Sequence, residues 1–158
     1  MVEHKLRILQ ECVKSTCIRA GRNLNDVNLV LVTKEVDLDQ IKEAYELGCR
    51  DFGENRVQDL VKKQPLLPED IRWHFIGSLQ TNKLKYLNKQ VSLIHSCDRL
   101  ELAQAIQKEA EKQNRSVDLL IQVNTSGEKT KHGFHLNLVQ EVIPHMKALN
   151  REIGRAHV

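Results

Sequence analysis

Lys34 is the residue on which chemistry is most readily built. It closes an apolar run, Val27-Asn28-Leu29-Val30-Leu31-Val32-Thr33, and stands just before a turn and a new helix at Asp37. An amine held at the mouth of a buried parallel strand is placed to attack an aldehyde and form an imine. Burial disfavours the ammonium form, so a desolvated Lys34 with a lowered pKa and a nucleophilic nitrogen is expected. The plainer alternative is a solvated lysine that ends a strand. Three more polar side chains join the candidate site. Asn55 follows Phe52-Gly53-Glu54 at the end of a second strand, on the same rim as Lys34, where its amide can hydrogen-bond a ligand hydroxyl or the imine. It serves equally well as a helix N-cap. His74 alternates with Trp73 and Phe75 on a third strand, and either points inward beneath the site or is a satisfied core histidine. Asn124 shares one face of a later strand with Gln122, which suits either an interior near the mouth of a barrel or a hydrogen-bonded structural layer.

The elements that must position these groups can be read from periodicity and punctuation. Val2, Leu6, Leu9, Val13 and Cys17 form one stripe of a helix over residues 2–20, and Gly21 ends it as a left-handed cap. A strand follows at Val27–Lys34, then a helix capped by Asp37 and stopped by Gly48. The spacing predicts further strands at Asp51–Gly53, Ile71–Gly77, Val91–His95 and Val117–Asn124. Between them it predicts helices from about Asn55 to Lys63, near Gln80–Leu87, and from an Asp98 cap to about Gln113. Glu101, three residues after Asp98, completes a capping-box spacing. A last helix is predicted over Leu136–Leu149. Strict alternation of strand and helix means an α/β protein with a parallel sheet. It does not by itself separate an open doubly wound sheet from a (β/α)8 barrel, which normally takes about 250 residues and eight units.

Composition bounds the rest. The chain has 158 residues, 41% apolar and 28% charged, with a net charge of +3 that makes no case for nucleic acid. Cys12, Cys17, Cys49 and Cys97 form no C-x-x-C pair and have no histidine at ligand spacing, so reduced thiols and no metal site are expected in a cytoplasmic protein. No signal peptide and no membrane span are expected. The stretch Glu152-Ile153-Gly154-Arg155-Ala156-His157-Val158 matches the translation of a common sequencing-adapter DNA. Residues 1–150 are therefore expected to be a partial barrel domain and 151–158 a non-native tail.

Five stretches carry a resemblance. They are Leu31-Val32-Thr33-Lys34, the run Tyr45 to Gln58 containing Phe52-Gly53-Glu54-Asn55, the run Trp73-His74-Phe75-Ile76-Gly77-Ser78-Leu79-Gln80-Thr81-Asn82-Lys83, Ile121-Gln122-Val123-Asn124, and Gly127 to Phe134. Together they resemble the pyridoxal phosphate homeostasis proteins, the YggS/PROSC family, from about Val27 to Leu149. The resemblance implies a TIM-type (β/α)8 barrel of the alanine racemase N-terminal-domain kind, with about five βα units present here. It implies pyridoxal 5'-phosphate linked to Lys34, with Asn55, His74 and Asn124 nearby. The implied role is a non-catalytic, monomeric carrier or buffer of the cofactor in vitamin B6 and amino-acid homeostasis, with PLP-dependent apoenzymes as partners. The alternative is a PLP-dependent amino-acid racemase of related fold, which needs a second acid/base such as a tyrosine facing the lysine. The only tyrosines, Tyr45 and Tyr86, are predicted on outer helices. Three departures stand out: Arg56 where the family usually has Tyr, and Glu35 and Val36 after the lysine. The resemblance places the phosphate-holding loops beyond residue 150, so weak or no stable cofactor binding is expected of the 158-residue chain.

Overall fold

The computed structural model describes residues 2–128 and 130–149; the expected tail at 151–158 lies outside them. The chain begins with α1 (Val2–Arg19). Gly21, at φ 63, sits in the left-handed conformation expected of a helix terminator. Of the α1 stripe only Leu6 and Cys17 are buried, while Leu9 is exposed. Then follow β1 (Leu31–Val32), α2 (Leu38–Glu46), β2 (Asp51–Glu54), α3 (Val57–Lys63), β3 (Arg72–Phe75), β4 (Val91–Cys97), α4 (Leu100–Lys112) and β5 (Asp118–Ile121). Two short strands, β6 (Val123–Asn124) and β7 (Phe134–His135), precede α5 (Val139–Ala148).

The five main strands pair in the order β1-β2-β3-β4-β5, each parallel to its neighbour. This order decides between the two architectures left open by alternation. A doubly wound sheet reverses its strand order at a switch point, whereas a barrel adds each strand beside the last. Sequential order is the barrel pattern.

Register divides the sheet into two faces. Leu31, Phe52 and Trp73 lie side by side, as do Glu54 and Phe75. On this face Phe52, Trp73, Phe75, Ile94 and Leu119 are buried together with Ile41, Leu60, Leu102 and Ile106 of the helices. Fully burying one large apolar side chain is worth about 1.5–3 kcal/mol, so this layer carries most of the stabilisation. The other face, which a barrel turns inward, presents Val32, Gly53 and His74 at one level. Val32 is 50% exposed there.

Several boundaries differ from the sequence reading. β1 covers only Leu31–Val32 rather than Val27–Lys34, because its register with Phe52 leaves residues 27–29 below the start of β2 with no strand to pair. Residues Leu24–Asp26 form a 3-10 turn instead, capped by the Asn23 side chain. The helix expected near Gln80–Leu87 is a 3-10 turn at Thr81–Tyr86. Asp37 caps α2 as expected, accepting from the Gln40 amide at 2.9 Å. Asp98 does not cap α4: Arg99 occupies the N-cap position without a side-chain bond, and the Asp98 carboxylate pairs with Arg99 and His132. The expected strand to Asn124 breaks after Ile121, where Gln122 bonds back to the Cys97 carbonyl and β6 pairs with β7. Gly133 makes that pairing possible: at φ 130, any Cβ there would sit 2.6 Å from the Asn124 nitrogen. All four cysteines are free. Among the described residues no helix is long and apolar enough to cross a membrane, and no cluster fit to hold a metal occurs.

Candidate functional site at the carboxyl ends of the strands

Lys34, Asn55, Gly77 and Asp98 each come one or two residues after β1, β2, β3 and β4, so the chain brings them to one rim, and Asn124 ends β6, just beyond β5. Val32 is level with Gly53, and Lys34 and Asn55 each come two residues after that pair. In parallel barrels this end carries the chemistry, because loops there are free to vary above a rigid sheet.

Lys34 is exposed, not desolvated. The expected burial fails because β1 is an edge strand whose paired part ends two residues earlier. Yet the backbone around Lys34 is tightly held. The Thr33 amide donates to the Gly53 carbonyl at 2.9 Å, and the Val36 amide donates back to the Thr33 carbonyl at 3.1 Å. Residues 33–36 thus form a turn with Lys34 at its first corner. Glu35, at the second corner, has φ 61, the signature of a type II turn, which normally takes glycine there.

Beneath this turn lies a buried charge pair. Glu54 is fully buried. Its Oε1 accepts from the Thr33 hydroxyl at 2.8 Å and from the Lys63 ammonium at 2.5 Å. The same ammonium donates to the Thr33 carbonyl at 2.7 Å. Glu54 Oε2 is buried with no hydrogen-bond partner among the described residues. Such a pair tolerates loss of one member badly, on the order of 3–5 kcal/mol, because the survivor is a buried unpaired charge.

Asn55 does not cap a helix; Arg56 takes the N-cap position of α3 and has no side-chain cap bond. The backbone of Asn55 is instead gripped by Gly77. A Cβ on Gly77 would run into the Asn55 carbonyl and come within 2.8 Å of its Cα. This contact explains why Gly53-Glu54-Asn55 and Trp73-His74-Phe75-Ile76-Gly77 occur in one chain: the two strand ends touch at backbone distance.

His74 lies level with Gly53 on the inner face and is satisfied there. Its Nε2 lies 3.1 Å from Asp51 Oδ1 and its Nδ1 lies 2.9 Å from His95 Nε2. Desolvation pushes the Asp51 carboxyl up, but hydrogen bonds from Arg72 and His74, with their charges, hold it below its ordinary value. Desolvation and the neighbouring His74 hold His95 below the usual imidazole range. His95 and Asp51 were not anticipated; only their even spacing from inner-face residues signals them.

Asn124 is consumed by its own loop. Its amide donates to the carbonyls of Glu128 and Lys131, and its Oδ1 accepts from Ser126 and the Gly127 amide. It shapes the loop after β6, and both polar atoms of its side chain are engaged there. Gln122 similarly donates to the His132 carbonyl.

The family described as alanine racemase, N-terminal domain, matches residues 13–156. A pyridoxal phosphate homeostasis protein of Aquifex aeolicus is 44% identical over 154 residues, covering 93% of this chain and 67% of that protein. The chain belongs to the pyridoxal phosphate homeostasis protein family. A family member from Haemophilus influenzae is 30% identical over 151 residues, covering 94% of this chain and 64% of its own. The chain therefore spans about two thirds of the length of these relatives. Among solved structures, PipY of Synechococcus elongatus with PLP bound superposes with a TM-score of 0.73 at 31% identity, covering 87% of this chain and 65% of PipY. The expected barrel fold holds, and the parallel arc β1–β5 is the family's barrel wall in this chain.

Proposed function

We propose that this chain is a pyridoxal 5'-phosphate-binding protein that carries or buffers the cofactor in vitamin B6 and amino-acid homeostasis, with Lys34 as the attachment point and no turnover of its own. The observation that carries this reading is a family lysine at the carboxyl end of β1, accessible and without a polar partner among the described residues. The residues fit an aldehyde cofactor to that extent: the amine is open to approach, and its backbone is fixed by Thr33 and Val36. When bound, the cofactor would supply an electrophilic aldehyde carbon, and the Lys34 side-chain nitrogen would hold it there. Asn55, one residue past the end of β2, orients what is bound. His74 supports the site from below, through Asp51 and His95.

The racemase reading is less well supported. Tyr45 lies at the other end of the sheet, where its hydroxyl donates to Asp70 at 2.7 Å, and Tyr86 sits exposed on an outer turn. Neither faces Lys34. Recipient apoenzymes, a monomeric state and a cytoplasmic location complete the proposal.

Borohydride trapping with pyridoxal phosphate, followed by peptide mass spectrometry, tests it. One reduced adduct is expected, on Lys34, and it is lost in Lys34→Ala. Adduct spread over other exposed lysines in proportion to their accessibility sinks the assignment.

A further inference from the structure

We propose that Lys63, braced by the buried Glu54, is a positioning residue for Lys34. The proposal rests on Lys34 being the attachment point and adds what aims it. Every polar atom of Thr33, the residue bonded to Lys34, is engaged. Its amide and hydroxyl reach the Gly53 carbonyl, its hydroxyl also reaches Glu54, and its carbonyl takes both the Val36 amide and the Lys63 ammonium. The Lys63 contact is the one that comes from outside the strand pair. It reaches across from the last turn of α3, and its side chain is only 15% exposed.

The turn needs such a restraint. Glu35 holds φ 61, a conformation that a non-glycine residue keeps only when its surroundings over-determine it. Lys63 fixes the carbonyl that closes this turn, and Glu54 fixes Lys63. Lys63 touches neither the reacting nitrogen nor a ligand; it acts through the Thr33 carbonyl on the direction in which Lys34 leaves the rim. Glu54 and Lys63 lie nine residues apart, on a strand and on the helix that follows it. The pair therefore belongs to one βα unit.

The test compares the unmutated chain with Lys63→Met, with Lys63→Arg and with the double variant Glu54→Leu/Lys63→Met. Three quantities are read: the rate of borohydride-trapped adduct on Lys34, hydrogen exchange at the Val36 amide, and the thermal midpoint. Lys63→Met is expected to slow Lys34 trapping about tenfold and to speed Val36 exchange by a similar factor, with a lower midpoint. The double variant leaves no unpaired buried charge and is expected to regain the midpoint, but not the trapping rate or the Val36 protection. Lys63→Arg keeps a cationic donor and should retain part of both. Recovery of trapping together with the midpoint in the double variant makes Lys63 merely structural and overturns the inference. So does a folded Lys63→Met with unchanged Val36 exchange. If the unmutated chain gives no Lys34 adduct, the attachment reading fails and the inference falls with it; Val36 exchange then reports only on the turn.

Discussion

His95 is held neutral in the folded chain by burial and by its histidine neighbour. An unfolded chain takes up that proton near the ordinary imidazole value of 6.5. Below that value the unfolded state binds more protons, so stability must fall as the pH falls, until the folded imidazole also protonates. Urea unfolding is expected to show a midpoint that drops as the pH is lowered below about 6.5, and His95→Gln, which keeps a hydrogen-bonding side chain beside His74 but does not titrate, should flatten that slope. Asp51 adds a separate loss below its ordinary 3.8, because its folded carboxyl is lowered and its stabilisation disappears only on protonation. At this scale the sequence was legible where a motif names a residue. Lys34 was found from its place after an apolar run. Its exposure was not, because a run of apolar letters does not say how far the neighbouring strand extends. Glu54 was quoted in a motif but its partner was missed: a strand-to-helix pair has no periodic signature, and a lysine in the last turn of a helix reads as solvated.

Asp37 and Asp98 make the point for elements. Each precedes a helix in a way that signals a cap, yet only Asp37 forms one. Asp98 has competitors, the Arg99 guanidinium and the His132 ring, and a charge-assisted contact outweighs a cap worth about 1 kcal/mol. Local text cannot show a competitor that arrives from a loop thirty-odd residues later, roughly the reach of a βα unit. The turn at residues 33–36 is the second lesson. Left-handed backbone costs a non-glycine residue about 1–2 kcal/mol, and glycine returns about 0.5–1 kcal/mol of that through a freer unfolded chain. Glu35→Gly is therefore expected to raise unfolding stability by up to about 1 kcal/mol in urea titration. A loss of stability would mean that the Glu35 side chain contributes more than its backbone costs.

The strand order was open in the sequence and is settled by pairing. Alternation of strands and helices is common to barrels and doubly wound sheets, and only which strand lies beside which tells them apart. We retain as a proposal that residues 1–150 are barrel and 151–158 a non-native tail. Deleting 151–158 is then expected to leave the thermal midpoint unchanged to within about 1 °C, measured by circular dichroism; a larger drop would show those residues to be part of the folded unit.

Each strand of the arc pairs with the one made just before it, at a separation of about 20 residues. No pairing within the arc has to wait for a distant segment. The wall that presents Lys34 is thus suited to assemble during synthesis, each new strand annealing to a template already outside the ribosome, and Lys34 belongs to the earliest of those templates.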